Sequence, residues 1–320
     1  SVVDSWFFNN NQAIFTDATN SPYYGPIQNW NVSAVTNMSE LFKNRINFNE
    51  NLSLWDTSNV TNMSEMFYGA ASFNQNIYWN TSNVSDMSYM FYNAINFNGL
   101  FNDTGNLWNT SAVTNMSYMF SYAKDFNQYI GDWVTSNVNI MSYMFYNAIA
   151  FNNDISGWSV SNVTNMSFMF YEASAFNIDI GDWTVSSVNN MSYMFYNANA
   201  FNYDLSLWDV SSVTNMNSMF YGASIFNQYI RIWITINVSD FNNMFYNAIA
   251  MINTYTGING FNTTPSQDFF NQPTNLTDSN IQYIVDLWIS DPSQAIFTDS
   301  NNNPYYGLIE NWNVTSVTNM

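Results

Sequence analysis

The chain has 320 residues, a formal charge of −19 and a pI near 4.1, with no His, no Cys and four basic residues. Cys and His metal sites, redox thiols and His-based catalytic triads are excluded by those absences. A surface so short of Lys and Arg cannot neutralise nucleic-acid phosphates, and anionic membranes would repel it. At 47% hydrophobic and 19% aromatic the chain is apolar enough to fold rather than remain disordered. Its 57 asparagines make the polar remainder mostly amide and hydroxyl.

No run of about 18 apolar residues appears, so no membrane insertion is expected in this segment. The opening "SVVDSWFF" shows neither initiator Met nor signal peptide. That fits a processed leader or a piece of a longer protein. Residues 1–24 read as the tail of a capping helix ("VVDSW") and a lead-in segment.

From 25 to 250 the chain is periodic. Trp30, Trp55, Trp79, Trp108, Trp133, Trp158, Trp183, Trp208 and Trp233 are spaced by 25, 24, 29, 25, 25, 25, 25 and 25 residues. The consensus is W x V S x V T N M S x M F Y x A x x F N x x I x x W. A period of about 25 marks a solenoid of about nine coils, each too small to bury its own apolar face. The single long spacing holds "GLFNDTGNLW" (99–108), a loop bulging from one corner.

Within a coil, Trp183 and Val185 alternate as in a short strand. "SxVTN" reads as a turn. Met191, Met194, Phe195 and Ala198 fall at i, i+3, i+4 and i+7, the spacing of one or two helical turns with all four inward. Stacking would then align Phe151, Phe176, Phe201 and Phe226 as a core column. Asn152, Asn177, Asn202 and Asn227 would form an amide ladder serving backbone groups at the bend.

Residues 251–277, rich in Gly, Pro, Asn and Thr, read as a linker or irregular cap. From 278 to 320 come a capping helix and the start of another module. Asp278 or Ser279 is its expected N-cap, with Ile281, Ile284, Val285 and Trp288 on one face. That second module is visible as a longer repeat. Residues 4–38 return at 286–320, shifted by 282 (294 − 12, from Gln294 and Gln12), with 22 of 35 positions identical. The expectation is a window on a long tandem array.

The units "NWNVSAVTNMSELF" and "LWDVSSVTNMNSMFYGASIFNQ" resemble the bacterial and protist surface-protein repeat of about 25 residues, of the BspA-like leucine-rich-repeat family. The resemblance implies a leucine-rich-repeat-like right-handed coil of short strands and helical turns on a secreted or cell-surface protein. It implies no enzyme activity.

Three sets of residues are candidate sites. The pattern NxS/T, the N-glycosylation acceptor of secreted eukaryotic proteins, occurs at Asn31, Asn37, Asn51, Asn59, Asn62, Asn80, Asn83, Asn102, Asn109, Asn115, Asn162, Asn165, Asn190, Asn237, Asn262, Asn275 and Asn313. The same residues also suit the turns, so turn formation competes with glycosylation as their explanation. Asp154, Asp179 and Asp204, 25 apart, would stack as carboxylates that Ca²⁺ could bridge, or simply face water. Tyr92, Tyr146, Tyr171, Tyr196, Tyr221 and Tyr246 follow the Met-Phe pair and form a stripe able to meet sugars or another protomer, or to pack only on itself.

No pair among the 23 acids is singled out for acid–base chemistry, so no enzyme is expected. The expected role is a structural extracellular repeat glycoprotein forming a fibre, coat or stalk. It would self-associate or pack against neighbouring modules. The alternative is an adhesin that binds a glycan or surface protein through one face of the solenoid.

Overall fold

A computed structural model describes residues 26–102 and 108–270, together with Val285 and the backbone of two small hairpins. In the first hairpin β1 (Phe15–Thr16) pairs antiparallel with β2 (Pro22–Tyr23). In the second β3 (Phe297–Thr298) pairs with β4 (Pro304–Tyr305). The partners Phe15 and Tyr23 become Phe297 and Tyr305, the same 282-residue shift, so the longer repeat is structural as well as sequential.

Between the hairpins the chain winds into stacked coils, one per Trp, making the protein a repeat solenoid. Parallel bridges join equivalent residues down the whole stack, from Asn37 to Asn62, Asp86, Asn115, Ile140, Asn165, Asn190, Asn215 and Asp240. Each coil contributes a single bridge and no longer strand. The strand expected around Trp183 and Val185 is absent. Trp183 N–H closes a turn on Ile180, and Val188 N–H closes another on Val185, so the indole sits between two turns.

The helical reading of 191–198 also needs correction. Met194, Tyr196 and Ala198 donate their N–H groups three residues back, to Met191, Tyr193 and Phe195 (3.2, 3.3 and 3.1 Å). The intervening Met191, Tyr193, Phe195 and Asn197 donate instead to the next coil, at Asn215, Asn217, Met219 and Tyr221 (3.0, 2.8, 2.9 and 2.7 Å). A helix would consume every N–H internally and leave nothing to join the coils. The chain avoids it by placing Tyr193 and Asn197 at φ of 60° and 52°, the sign that a type II turn requires at its third residue. The inward set is nonetheless as expected: Met191, Met194, Phe195 and Ala198 are fully buried.

The core is aromatic. Phe145, Phe170 and Phe195 stack at 5.7 Å from coil to coil, and each packs on the second Phe of its own coil, Phe170 on Phe176 at 3.8 Å. Trp indoles tie the corner together: Trp183, Trp208 and Trp233 donate from Nε1 to the carbonyls of Ile155, Ile180 and Leu205, one coil back. Buried Thr57, Thr81, Thr110 and Thr135 donate the other way, to carbonyls of the following coil. Each of these four buried hydroxyls has its acceptor, as burial of a polar group requires.

Residues 249–270 close the stack. Helix α1 (Ile249–Tyr255) and a 3₁₀ turn (Gln267–Phe269) bring Met251, Phe269 and Phe270 to full burial. Phe245 N–H, with no further coil to meet, donates to the Thr263 carbonyl at 2.9 Å. Asn243 N–H donates to Thr264 Oγ1 at 2.8 Å. The stretch read as a linker or irregular cap thus holds the groups that terminate the last coil. Apart from Val285, the helix expected from 278 lies outside the described residues, as does the lead-in segment apart from its hairpin.

Candidate functional site

The tyrosines after Met-Phe form a column along one face. Tyr146, Tyr171, Tyr196 and Tyr221 stack at 4.4 Å with planes within 11° of parallel, and Tyr246 extends the column at 4.9 Å. Towards the first coils it continues through Tyr92 to Tyr68 at 4.5 Å. A second column, absent from the sequence reading, runs beside it. Tyr89, Tyr118, Tyr143, Phe168 and Tyr193 stack at 4.2–4.4 Å. All five have φ near +60°. That turn geometry lays their rings alongside the first column, as with Tyr193 and Tyr196 at 5.9 Å.

Two rows of half-buried rings thus make one continuous face. Its chemistry differs from an open stripe: inside each column both faces of a ring are covered by neighbours, so a sugar has no ring face to stack on. Edges and hydroxyls remain. The first column has one defect, where Ser121 occupies the tyrosine position. Tyr122 leans across it, edge-on to Tyr92 at 5.7 Å and tilted 52° to Tyr146 at 5.1 Å.

Burial, assisted by the phenols of Tyr171 and Tyr221, pushes Tyr196 up to about 12. Burial is also the chief reason that Tyr89, Tyr92, Tyr118, Tyr143, Tyr146 and Tyr171 lie above the usual phenol value. These shifted phenols are uncharged at neutral pH, with the carboxylates of Glu65 and Glu172 close beside them.

Most of the described asparagine sequons take part in turns or bridge neighbouring coils. At Asn37, Asn62, Asn115, Asn165 and Asn190, Oδ1 accepts the N–H of the Ser two residues on, at 2.8–3.0 Å. Asp86 and Asp240 do the same at equivalent positions, so the requirement is for a carbonyl or carboxylate oxygen rather than an amide. Asn31, Asn51, Asn80 and Asn109 make the same short turn at other corners. Asn59, Asn83, Asn162 and Asn237 point Nδ2 at a carbonyl of the preceding coil, 2.7–2.8 Å away. The nitrogen a glycan would need thus lies against the stack. Asn102 Oδ1 accepts the N–H of Trp108 at 2.9 Å. Asn262, exposed in the cap, bonds only its neighbour Thr263 among the described contacts. Asn275 and Asn313 lie outside the described residues.

Asp154, Asp179 and Asp204 are turn residues too, accepting from the N–H of Ser156, Gly181 and Ser206 at 2.8–3.0 Å. Hydrogen bonds from the Ser156 backbone and hydroxyl hold Asp154 below the usual carboxylate value. Among the described residues no three acidic side chains gather as metal ligands would. Among them, too, no helix is long and apolar enough to cross a membrane.

A family model described as "Mycoplasma protein of unknown function, DUF285" matches three overlapping stretches, 9–105, 100–199 and 178–283. Among solved structures, a leucine-rich repeat protein from Eubacterium ventriosum is similar at 10% identity and a TM-score of 0.35. The match covers 65% of this chain and 62% of that protein, too distant a likeness to argue from. The curated proteins contain no match.

Proposed function

This chain belongs to the family of Mycoplasma proteins of unknown function DUF285, and from that premise and its fold we propose that it is a structural extracellular protein. Capped solenoid modules in tandem would form a stalk, coat or fibre. The observation that carries this reading is the recurrence of one leading segment 282 residues on, with its two-residue hairpin in the same register.

The cap adds a constraint. Thr263 and Thr264 occupy the N–H donors of Phe245 and Asn243, two of the positions through which earlier coils join the next, which supports modules that close on themselves. The array is a string of closed units rather than one unbroken coil. On that reading, electron microscopy of the full chain and of multi-module material shows elongated particles with a beaded repeat of one module. Round, unbranched globules of fixed size at every module number would refute it.

In finer detail we assign the coils to the BspA-like leucine-rich-repeat type, right-handed, on the strength of the period and the Met-Phe motif. An experimental structure of opposite hand would remove that assignment. Within the same proposal, glycans belong on Asn262 in the cap rather than on the coil sequons, whose amides serve turns and neighbouring coils. Peptide mass spectrometry of native material tests this, and heavy occupancy of Asn162 or Asn237 would contradict it.

The two-column aromatic face supports a second reading, a binding module. Its hydroxyl-bearing edges suit a glycan or protein surface. Saturable binding that is lost in Tyr171→Ala and Tyr143→Ala, with the fold retained, would favour this reading over the first.

A further inference from the structure

Most neighbouring tyrosines in the two columns lie face to face, but Tyr122 and Tyr146 do not. Their centroids are 5.1 Å apart and their planes are inclined at 52°. The cause is local: Ser121 fills the slot that Tyr92 and Tyr146 fill in their own coils, and Tyr122, at φ 58°, turns over the gap. Ser121 itself is buried, whereas Tyr122 and Tyr146 are half-exposed.

The Tyr122 phenol also lies close enough to act on the Tyr146 hydroxyl, adding to burial in raising Tyr146. Two phenols joined through their ring carbons end as two rings edge to edge and twisted against each other. The stacked pairs, such as Tyr146 and Tyr171 at 2°, would have to leave their columns to reach that arrangement. Tyr122 and Tyr146 already approach it.

We propose that Tyr122 and Tyr146 form an oxidative cross-linking site, at which a peroxide-driven one-electron oxidant joins adjacent coils through a dityrosine bond. Each phenol gives up one electron and one proton. The two resulting radicals combine through the ring carbons beside the hydroxyls, and loss of the two ring protons with re-formation of the phenols restores aromaticity. In sum, one carbon–carbon bond forms, two carbon–hydrogen bonds break, and two electrons and two protons pass to one peroxide. Its O–O bond cleaves to give two waters. The product is a covalent staple between adjacent coils, in a chain with no cysteine to make a disulfide.

The test is to treat the folded full chain with a haem peroxidase and hydrogen peroxide, then measure dityrosine fluorescence and map linked peptides by mass spectrometry. The expected result is a 122–146 link, within one chain and lighter by two hydrogens. Tyr122→Phe should remove most of the fluorescence, and Tyr171→Phe should leave it. Circular dichroism confirms that each variant is folded. The proposal is overturned if Tyr122→Phe leaves the yield unchanged, if links fall mainly on stacked pairs or between chains, or if the folded chain yields no more of this link than the urea-unfolded chain.

Discussion

The backbone N–H of Asn177 donates to the side-chain Oδ1 of Asn152, one coil earlier, at 2.8 Å. The same bond recurs from Asn49 through Asn74, Asn98, Asn127, Asn152, Asn177 and Asn202 to Asn227. At this corner the backbone turns away from its neighbours, and an amide side chain supplies the acceptor that a sheet would otherwise provide. Removal of the acceptor should therefore be felt in the following coil. Asn152→Ala is expected to cost about 0.5–1.5 kcal/mol, since water reaches this corner and replaces part of the bond. Asn152→Asp keeps the oxygen and should cost less. Urea denaturation of the two variants checks the order, and an equal loss in both would contradict the acceptor role.

Gly222 and Gly157 should respond oppositely to alanine. Gly222 has φ +67°, and an added Cβ would lie 1.9 Å from Asn197 Oδ1. Gly222→Ala must displace that side chain and hold an L-residue in the left-handed region, a loss of about 1–2 kcal/mol or more. Gly157 has no neighbour within 4 Å of an added Cβ and no positive φ. Gly157→Ala should be neutral or stabilise by about 0.4–1 kcal/mol through the unfolded chain. Thermal melts of both variants decide it.

Those glycines also show where the sequence could have been read further. The Trp spacing and the inward Met, Met, Phe and Ala were legible because burial imposes them whatever the local backbone. Helix and turn share that inward spacing, so periodicity alone could not separate them. The separating signal was there: one coil position has positive φ throughout and holds Asn44, Gly69, Asn93, Asn147, Asn197, Gly222 and Asn247, with Tyr122 and Glu172 the two exceptions in residue type. Gly and Asn alternating at a fixed position mark the left-handed conformation. The other such position carries Tyr89, Tyr118, Tyr143 and Tyr193. Nothing in residue type announces a positive φ there, so the turn that lays the second column beside the first had no signal in the sequence.

The cap should be the weak point of the module. Phe269 is fully buried against Phe245, Phe261 and Tyr255, with the Arg231 guanidinium over its ring. Phe269→Ala is expected to cost about 3–5 kcal/mol, as large-to-small core changes do. Contacts in a solenoid are to nearest neighbours, so the loss should fall mainly on the last coils. Hydrogen exchange read by mass spectrometry should show faster exchange at 241–270 and little change near Phe67. Uniform loss across the chain would contradict a local cap.

Alkaline pH should unfold the protein through its tyrosine columns. Burial lifts Tyr196 from the usual 10.0 to about 12, and Tyr146 and Tyr171 in the same column shift the same way. A phenol whose pKa is higher folded than unfolded contributes stability that is complete below pH 10 and is lost as pH rises through about 12. Phenolate absorbance and circular dichroism followed together should show the buried tyrosines ionising with loss of structure in that range. Complete ionisation near pH 10 with the fold intact would count against the columns.

The account rests on a backbone that alternates its hydrogen bonds between its own turn and the next coil. Scalar couplings across hydrogen bonds, measured by NMR, read this directly. The N–H of Phe170 should couple to the carbonyl of Met194, and that of Met169 to Met166, the pairs that lie at 2.9 and 3.2 Å. Coupling of Phe170 N–H to Met166, four residues back, would instead mean a helix and would contradict the turn-built solenoid.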